Sequence, residues 1–257
     1  MVDILPAFSV FLLIFVRVAS FFLTVPIFSY RTVPAMFKIG IAFFLALTMF
    51  FVVDSEPIPI DHLYYILILK EAMVGIILGF IGYLILSAVQ IAGGFIDFQM
   101  GFAIANVMDP QTGAQSPIIG QYLYMFAFLF LLSVNGHHLL LDGIYYSYQF
   151  IPLDQVFIHF HSENMVQFIL KLFSQMFVIA FQLSIPVVAC LFLVDLALGI
   201  VARTVPQLNV FVVGLPLKIM VSFLVLFVVI GVMIYTVGEL FDLILRSMRA
   251  FMEIVGV

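Results

Sequence analysis

The chain has 257 residues, of which 65% are hydrophobic, with nine Lys or Arg, fourteen Asp or Glu, 31 Phe and no Trp. A soluble domain carries about 25% charged residues, so at 9% this chain cannot dress a water-facing surface, which excludes an ordinary cytosolic enzyme. A formal charge of -5 with scattered basic residues offers no phosphate-tracking patch, which excludes nucleic-acid binding. What remains is an integral membrane protein or the buried subunit of a large assembly.

The chain opens Met1-Val2-Asp3, with an acid where a signal peptide needs positive charge. The first apolar run, Ile4 to Phe28, is too long for an h-region, so this segment is expected to stay in the mature protein. Arg17 interrupts it. A helix needs about 20 apolar residues to cross the hydrocarbon core, and Ile39 to Val53 falls short of that, as a buried or re-entrant helix does. Four runs meet the length: Ala72 to Ile96, Ile118 to Leu141, Leu172 to Val194 and Ile219 to Gly238. Breaks are expected at Ser29 to Lys38, Asp54 to His62, Asp97 to Pro117, Asp142 to Asn164 and Asp195 to Lys218.

Lys and Arg in short loops mark the inner side. Arg31 and Lys38 put the first loop inside, and Arg203 and Lys218 agree. Six spans would then place a tail carrying Arg246 and Arg249 outside. The charges therefore argue against a conventional six-helix bundle. Gly75, Gly79 and Gly82 form a small-residue stripe, expected to be a packing face for another helix. Arg17 either pairs with a carboxylate or reaches water or backbone carbonyls. Lys70 and Glu71 are expected to snorkel at a helix end. The lone Cys190 lies in an apolar run and packs as a small hydrophobe.

Recognisable catalytic chemistry is missing. Every lysine follows a bulky apolar residue, in Phe37-Lys38, Leu69-Lys70, Leu170-Lys171 and Leu217-Lys218, whereas a P-loop needs Gly before Lys. There is no Gly-x-Ser-x-Gly and no His-Glu-x-x-His. His137 and His138 diverge by about 100° on a helix. His159, His161 and Glu163 alternate, which would align three ligand-capable groups in an extended segment, but no fourth ligand is near and a solvated loop is expected. On these residues no P-loop ATP hydrolysis, no nucleophile elbow and no metal or cofactor site is expected.

Two stretches share one design. The first runs from Asp97 through Met100, Gly101, Asn106, Met108, Asp109, Pro110, Gln111, Gly113 and Gln115 to Pro117. The second runs from Asp195 through Gly199, Arg203, Pro206, Gln207, Asn209, Gly214 and Pro216 to Lys218. Each has Asp-x-x-x-Gly after an apolar run, then Pro-Gln, a Gly and a new apolar run. Gly accepts positive φ and Pro cannot continue a helix, so each stretch suits a reversal between two helices. The first, with Met100 and Met108 among amide and hydroxyl side chains, suits a plug in a wet constriction, because Met seals without fixed shape.

These stretches, with Gln90 to Gly101, Asp109-Pro110 and Asn135-Gly136-His137-His138, resemble the FliR family of flagellar type III export-gate components and their virulence-system counterparts. The resemblance covers essentially the whole chain. It implies a non-enzymatic, all-α membrane protein of bent helical hairpins in a helical hetero-oligomer, with one copy of this chain beside several copies of FliP and FliQ. Residues 1–164 would take a FliP-like position and residues 165–257, the last hairpin, a FliQ-like one. It further implies a pore plugged by Met100 to Gln115 within the loop 97–117, with the tip Arg203 to Asn209 toward the cytoplasmic entrance. FlhA and FlhB, exported flagellar proteins and membrane lipid would be the other partners, in the bacterial inner membrane at the flagellar basal body. Arg17, Glu71 and Asp97 are the candidate intramembrane charges. The rival reading is a proton-coupled secondary transporter of a small solute, with Asp97, Asp109 and Asp195 as relay carboxylates. A third is an assembly scaffold that adds nothing to a pore.

Overall fold

The computed structural model describes residues 4–26, 28–29, 33–53, 57–102, 117–156, 163–207 and 209–256. Among them are seven helices: α1 (Ile4–Thr24), α2 (Ala35–Phe50), α3 (His62–Met100), α4 (Ile118–Ser133), α5 (Gly136–Phe150), α6 (Glu163–Thr204) and α7 (Val210–Val255). The long apolar runs therefore become helices, but their ends move. Three helices, α3, α6 and α7, are long and apolar enough to cross a membrane, and α4 with α5 adds a fourth span if that bent pair counts as one. Arg246 and Arg249 lie within α7 itself, where Arg249 bonds Glu253 one turn on. The tail that defeats the six-span charge count is thus part of the last helix.

The run Ile118 to Leu141 is broken where no break was expected. Asn135 sits at φ 57°, in the left-handed region, which Asn tolerates better than most residues because its short amide can bond locally. The chain turns there by 73° and α5 then runs on to Phe150, past Asp142, where a break was expected. In the second reversal the helices run closer to the tip than their prolines suggest. α6 continues through Asp195 and Gly199 to Thr204, and α7 resumes at Val210 and passes through Pro216. Pro216 costs one backbone bond near the start of a long helix, not the helix itself.

By packing density the chain divides into two compact units. One comprises Met1–Ile85, Val134–Phe173 and Phe241–Val257; the other comprises Leu86–Ser133 and Ser174–Leu240. In the first, α1 buries Leu13, Ile14, Val18, Phe21 and Phe22, and Phe11 meets Phe43 of α2 edge-on at 5.4 Å. Of the glycine stripe of α3, Gly75 and Gly79 lie on α1, whereas Gly82 faces Pro26, Leu140 and Ile244. A Cβ at Gly75 would stand 2.0 Å from Ser20 Oγ and 2.2 Å from the Arg17 carbonyl, and one at Gly79 would stand 2.2 Å from Thr24 Oγ1. In the second unit Ile96, Met100, Ile119, Val187 and Leu191 form a buried cluster.

These distances separate glycines that permit contact from glycines that do not. Gly75→Ala is expected to lose about 1–3 kcal/mol through overpacking, read as reduced accumulation in membranes and a lower melting temperature in detergent. Gly40→Ala, where nothing lies within 4 Å of the added carbon, is expected to be neutral or to gain about 0.5–1 kcal/mol of helix stability.

Candidate functional site

Charge at membrane depth is the first place to look for function, and six charged side chains form two groups, Arg17, Lys70 and Glu71 in the first unit and Asp97, Asp195 and Lys218 in the second. In the first unit Arg17 of α1 and Glu71 of α3 are both fully buried. The guanidinium grips the carboxylate with two nitrogens, Nε to Oε2 and Nη2 to Oε1, the latter at 2.9 Å. Its Nη1 donates to Ser147 Oγ at 3.0 Å and Nη2 also to the Ile151 carbonyl at 2.8 Å. The Tyr148 ring lies 4.2 Å from the guanidinium carbon, a favourable cation–π distance. Lys70 approaches Glu71 Oε1 at 2.7 Å and donates to the carbonyls of Pro152 at 2.8 Å and Leu153 at 3.1 Å.

Two cations therefore share one carboxylate, and the surplus positive charge faces three successive carbonyls, 151 to 153. These follow the C-terminus of α5, where the helix dipole is negative. Both readings of Arg17 prove correct together, since it meets a carboxylate and a carbonyl. The expected snorkelling of Lys70 and Glu71 is wrong: they lie two turns inside α3, and Lys70 is 4% exposed. A neighbouring helix that supplies charge and carbonyls removes the need to reach the interface.

The second group sits where α3 ends. Asp97, 1% exposed, accepts the backbone N–H of Ile119 at 3.0 and 3.2 Å, so its charge holds the positive N-terminus of α4. Two residues on, the Gln99 side chain donates to Asp195 Oδ2 at 2.9 Å. Asp195 Oδ1 pairs with Lys218 Nζ at 2.5 Å, and Lys218 also donates to the Gln99 carbonyl at 3.3 Å. That carbonyl is one of the last four of α3, which lack partners within the helix. The ends of α3, α6 and α7 are thereby tied together. Met100 beside them is fully buried, and Gly101 takes φ 92° to end the helix, which favours glycine.

Of the first reversal, Met100 and Gly101 are placed; Asn106, Met108, Asp109, Pro110, Gln111, Gly113 and Gln115 lie outside the described residues, as do His159 and His161. Of the second, Arg203, Pro206, Gln207 and Asn209 are exposed at the tip. Arg203 occupies the last turn of α6, where a cation suits the dipole. Asn209 Oδ1 accepts the Phe211 N–H at 3.1 Å, an N-cap for α7. Gly199 is exposed with open space around it, whereas Gly214 is buried, with Leu198 Cδ1 3.1 Å from a Cβ built there. Pro216 is exposed inside α7. Among the described residues no group of three or more His, Cys, Asp or Glu is arranged to hold a metal. Gln99, Ser147 and Tyr148 are the partners that sequence reasoning missed. Their only advance signal was the presence of unpaired charges on other apolar helices.

The two groups differ in what breaking them costs. Removing one partner of a buried pair costs about 3–5 kcal/mol, while a solvent-exposed pair is worth about 0–1 kcal/mol; the side chains of Lys218 and Asp195 are 20% and 38% exposed. Glu71→Gln is therefore expected to lower the melting temperature steeply and deplete the protein from membranes. Asp195→Asn is expected to fold and accumulate as the parent does, and equal losses from the two would refute the contrast.

Comparison with known proteins bears on all of this. The family model described as bacterial export proteins, family 1, matches residues 8–244. The flagellar biosynthetic protein FliR of Bacillus subtilis is 60% identical over 99% of this chain and 99% of its own length. FliR of Escherichia coli is 30% identical over 80% of this chain and 78% of its own length. The Yop proteins translocation protein T of Yersinia pestis is 30% identical over 82% of this chain and 81% of its own length.

Proposed function

Because this chain belongs to bacterial export proteins, family 1, the family of the flagellar biosynthetic protein FliR, we propose that it is a pore-forming structural subunit of the flagellar type III export gate. It passes unfolded flagellar proteins across the bacterial cytoplasmic membrane, in the basal body, and leaves the supply of energy to other subunits. Full-length similarity to a flagellar protein at 60% identity, twice the identity to the Yersinia translocation protein, favours the flagellar system.

The observation that carries the proposal is how little of the last hairpin the chain buries. In the most apolar stretch of α3, 61% is buried, but in those of α6 and α7 only 11%. Phe227 and Val228 of α7 are 82% and 80% exposed. At about 1.5 Å per residue these helices run well beyond a ~30 Å hydrocarbon core, so lipid alone does not cover them. Partner helices do: several FliP and FliQ subunits around one copy of this chain, with residues 1–164 in a FliP-like position and 165–257 in a FliQ-like one. FlhA and FlhB complete the export machinery. The segment from Met100 to Gln115 is the plug; Met100, where it begins, is buried, and Asp97 accepts the N–H of Ile119, four residues beyond Gln115. The tip from Arg203 to Asn209 faces the cytoplasmic entrance.

The transporter reading has less support. Of its three relay carboxylates, Asp97 caps α4 and Asp195 is paired with Lys218, and the relatives carry export and flagellar names.

Deleting Asn106 to Gln115 is expected to leave the complex assembled but leaky to ions, measured as dye or potassium release from vesicles or cells. A deletion as tight as the parent would remove the plug role. Co-expression with FliP- and FliQ-like subunits should yield one complex whose native mass contains a single copy of this chain; saturable solute uptake by the chain alone would instead favour the transporter.

A further inference from the structure

We infer that the contact among Gln99, Asp195 and Lys218 is a releasable clasp, which holds the α6–α7 hairpin against the end of α3 in the closed gate and opens when substrate passes. The inference rests on the export-gate reading above. Its basis is the contrast between the two charge groups. The Arg17–Glu71–Lys70 group is sealed from water and held from every side, which makes it a fixed joint. The clasp is only partly enclosed by this chain, with Asp195 at 38% and Lys218 at 20% side-chain exposure, so its members are not held from every side.

Space for movement is already there. A cavity of about 430 Å³ lies beside the clasp, bordered by Met100, Gly101, Gly199 and Gly214. Gly199 has no atom within 4 Å of where a Cβ would stand, so on that face of α6 no group of this chain blocks movement. The three members also differ in kind. Gln99 offers its amide to the carboxylate and its carbonyl to the ammonium, so it joins α3 to both arms of the hairpin through one residue. Loss of either charge therefore loosens α3 from α6 and α7 together.

The test uses the assembled complex in cells. With Cys190→Ser as background, Gln99→Cys and Asp195→Cys are joined by a short, reducible bis-thiol crosslinker. Linking is expected to cut export of a flagellar protein about tenfold relative to the same unlinked pair, and reductant to restore it, while the crosslinker is expected to leave export by either single-cysteine variant at its own untreated level. Export that stays within twofold of the unlinked complex at near-complete crosslinking would overturn the clasp. If the cysteine pair does not assemble, charge exchange decides: D195K and K218D singly should each raise ion leakage several-fold, and the double exchange should return it toward the parent. A double exchange as leaky as the singles would overturn the inference too. The parent chain supplied to a strain lacking it separates the two readings. If it fails to restore export, the export-gate reading itself falls, whereas restored export that is indifferent to the crosslink removes the clasp alone.

Discussion

A buried cation needs a complete set of partners, and Arg17 obtains them from three directions. Glu71 comes from α3, Ser147 and Tyr148 from α5, and the Ile151 carbonyl from the turn that follows. Lys70 extends the same set to Pro152 and Leu153. An unpaired charge at that depth costs several kcal/mol, so the positions of α1, α3 and the end of α5 are fixed relative to one another. The glycines of α3 at 75 and 79 serve the same end, because only a surface without Cβ atoms lets α1 come close enough for the guanidinium to reach Glu71. Packing and electrostatics are one constraint here.

The second unit applies the same chemistry with less burial. Asp97 takes the N-terminus of α4 and Lys218 the C-terminus of α3, so both ends of the segment between them are held by charges opposite to the local helix dipole. One charge group is sealed within its unit, and the other is partly open.

The exposed phenylalanines of α6 and α7 belong to the same logic. A helix apolar on all sides must be covered by lipid or by other helices, and these two, at 42 and 46 residues, are longer than the hydrocarbon core is thick. In such a protein, low charge content reports contact with partners as much as contact with lipid. Family membership and the nearly bare last hairpin are separate observations, and both support the proposal of a chain completed by assembly.

The sequence by itself determined the class, the long helices and the family. Composition, uninterrupted apolar length and motif are local properties, and each constrains a segment without reference to any other. The glycine stripe was legible for the same reason, since spacing on one helix places small residues on one face. Only the tertiary structure decided the break at Asn135, because left-handed backbone is chosen by what the flanking helices must reach and Asn merely permits it. Tertiary structure also decided that Arg17 meets Glu71, that Lys70 turns inward to carbonyls, and that Gln99 links Asp195 to Lys218. A charge carries no address in the sequence; its partner is whichever group the packing of distant helices brings within 3 Å, the distance at which burial becomes affordable.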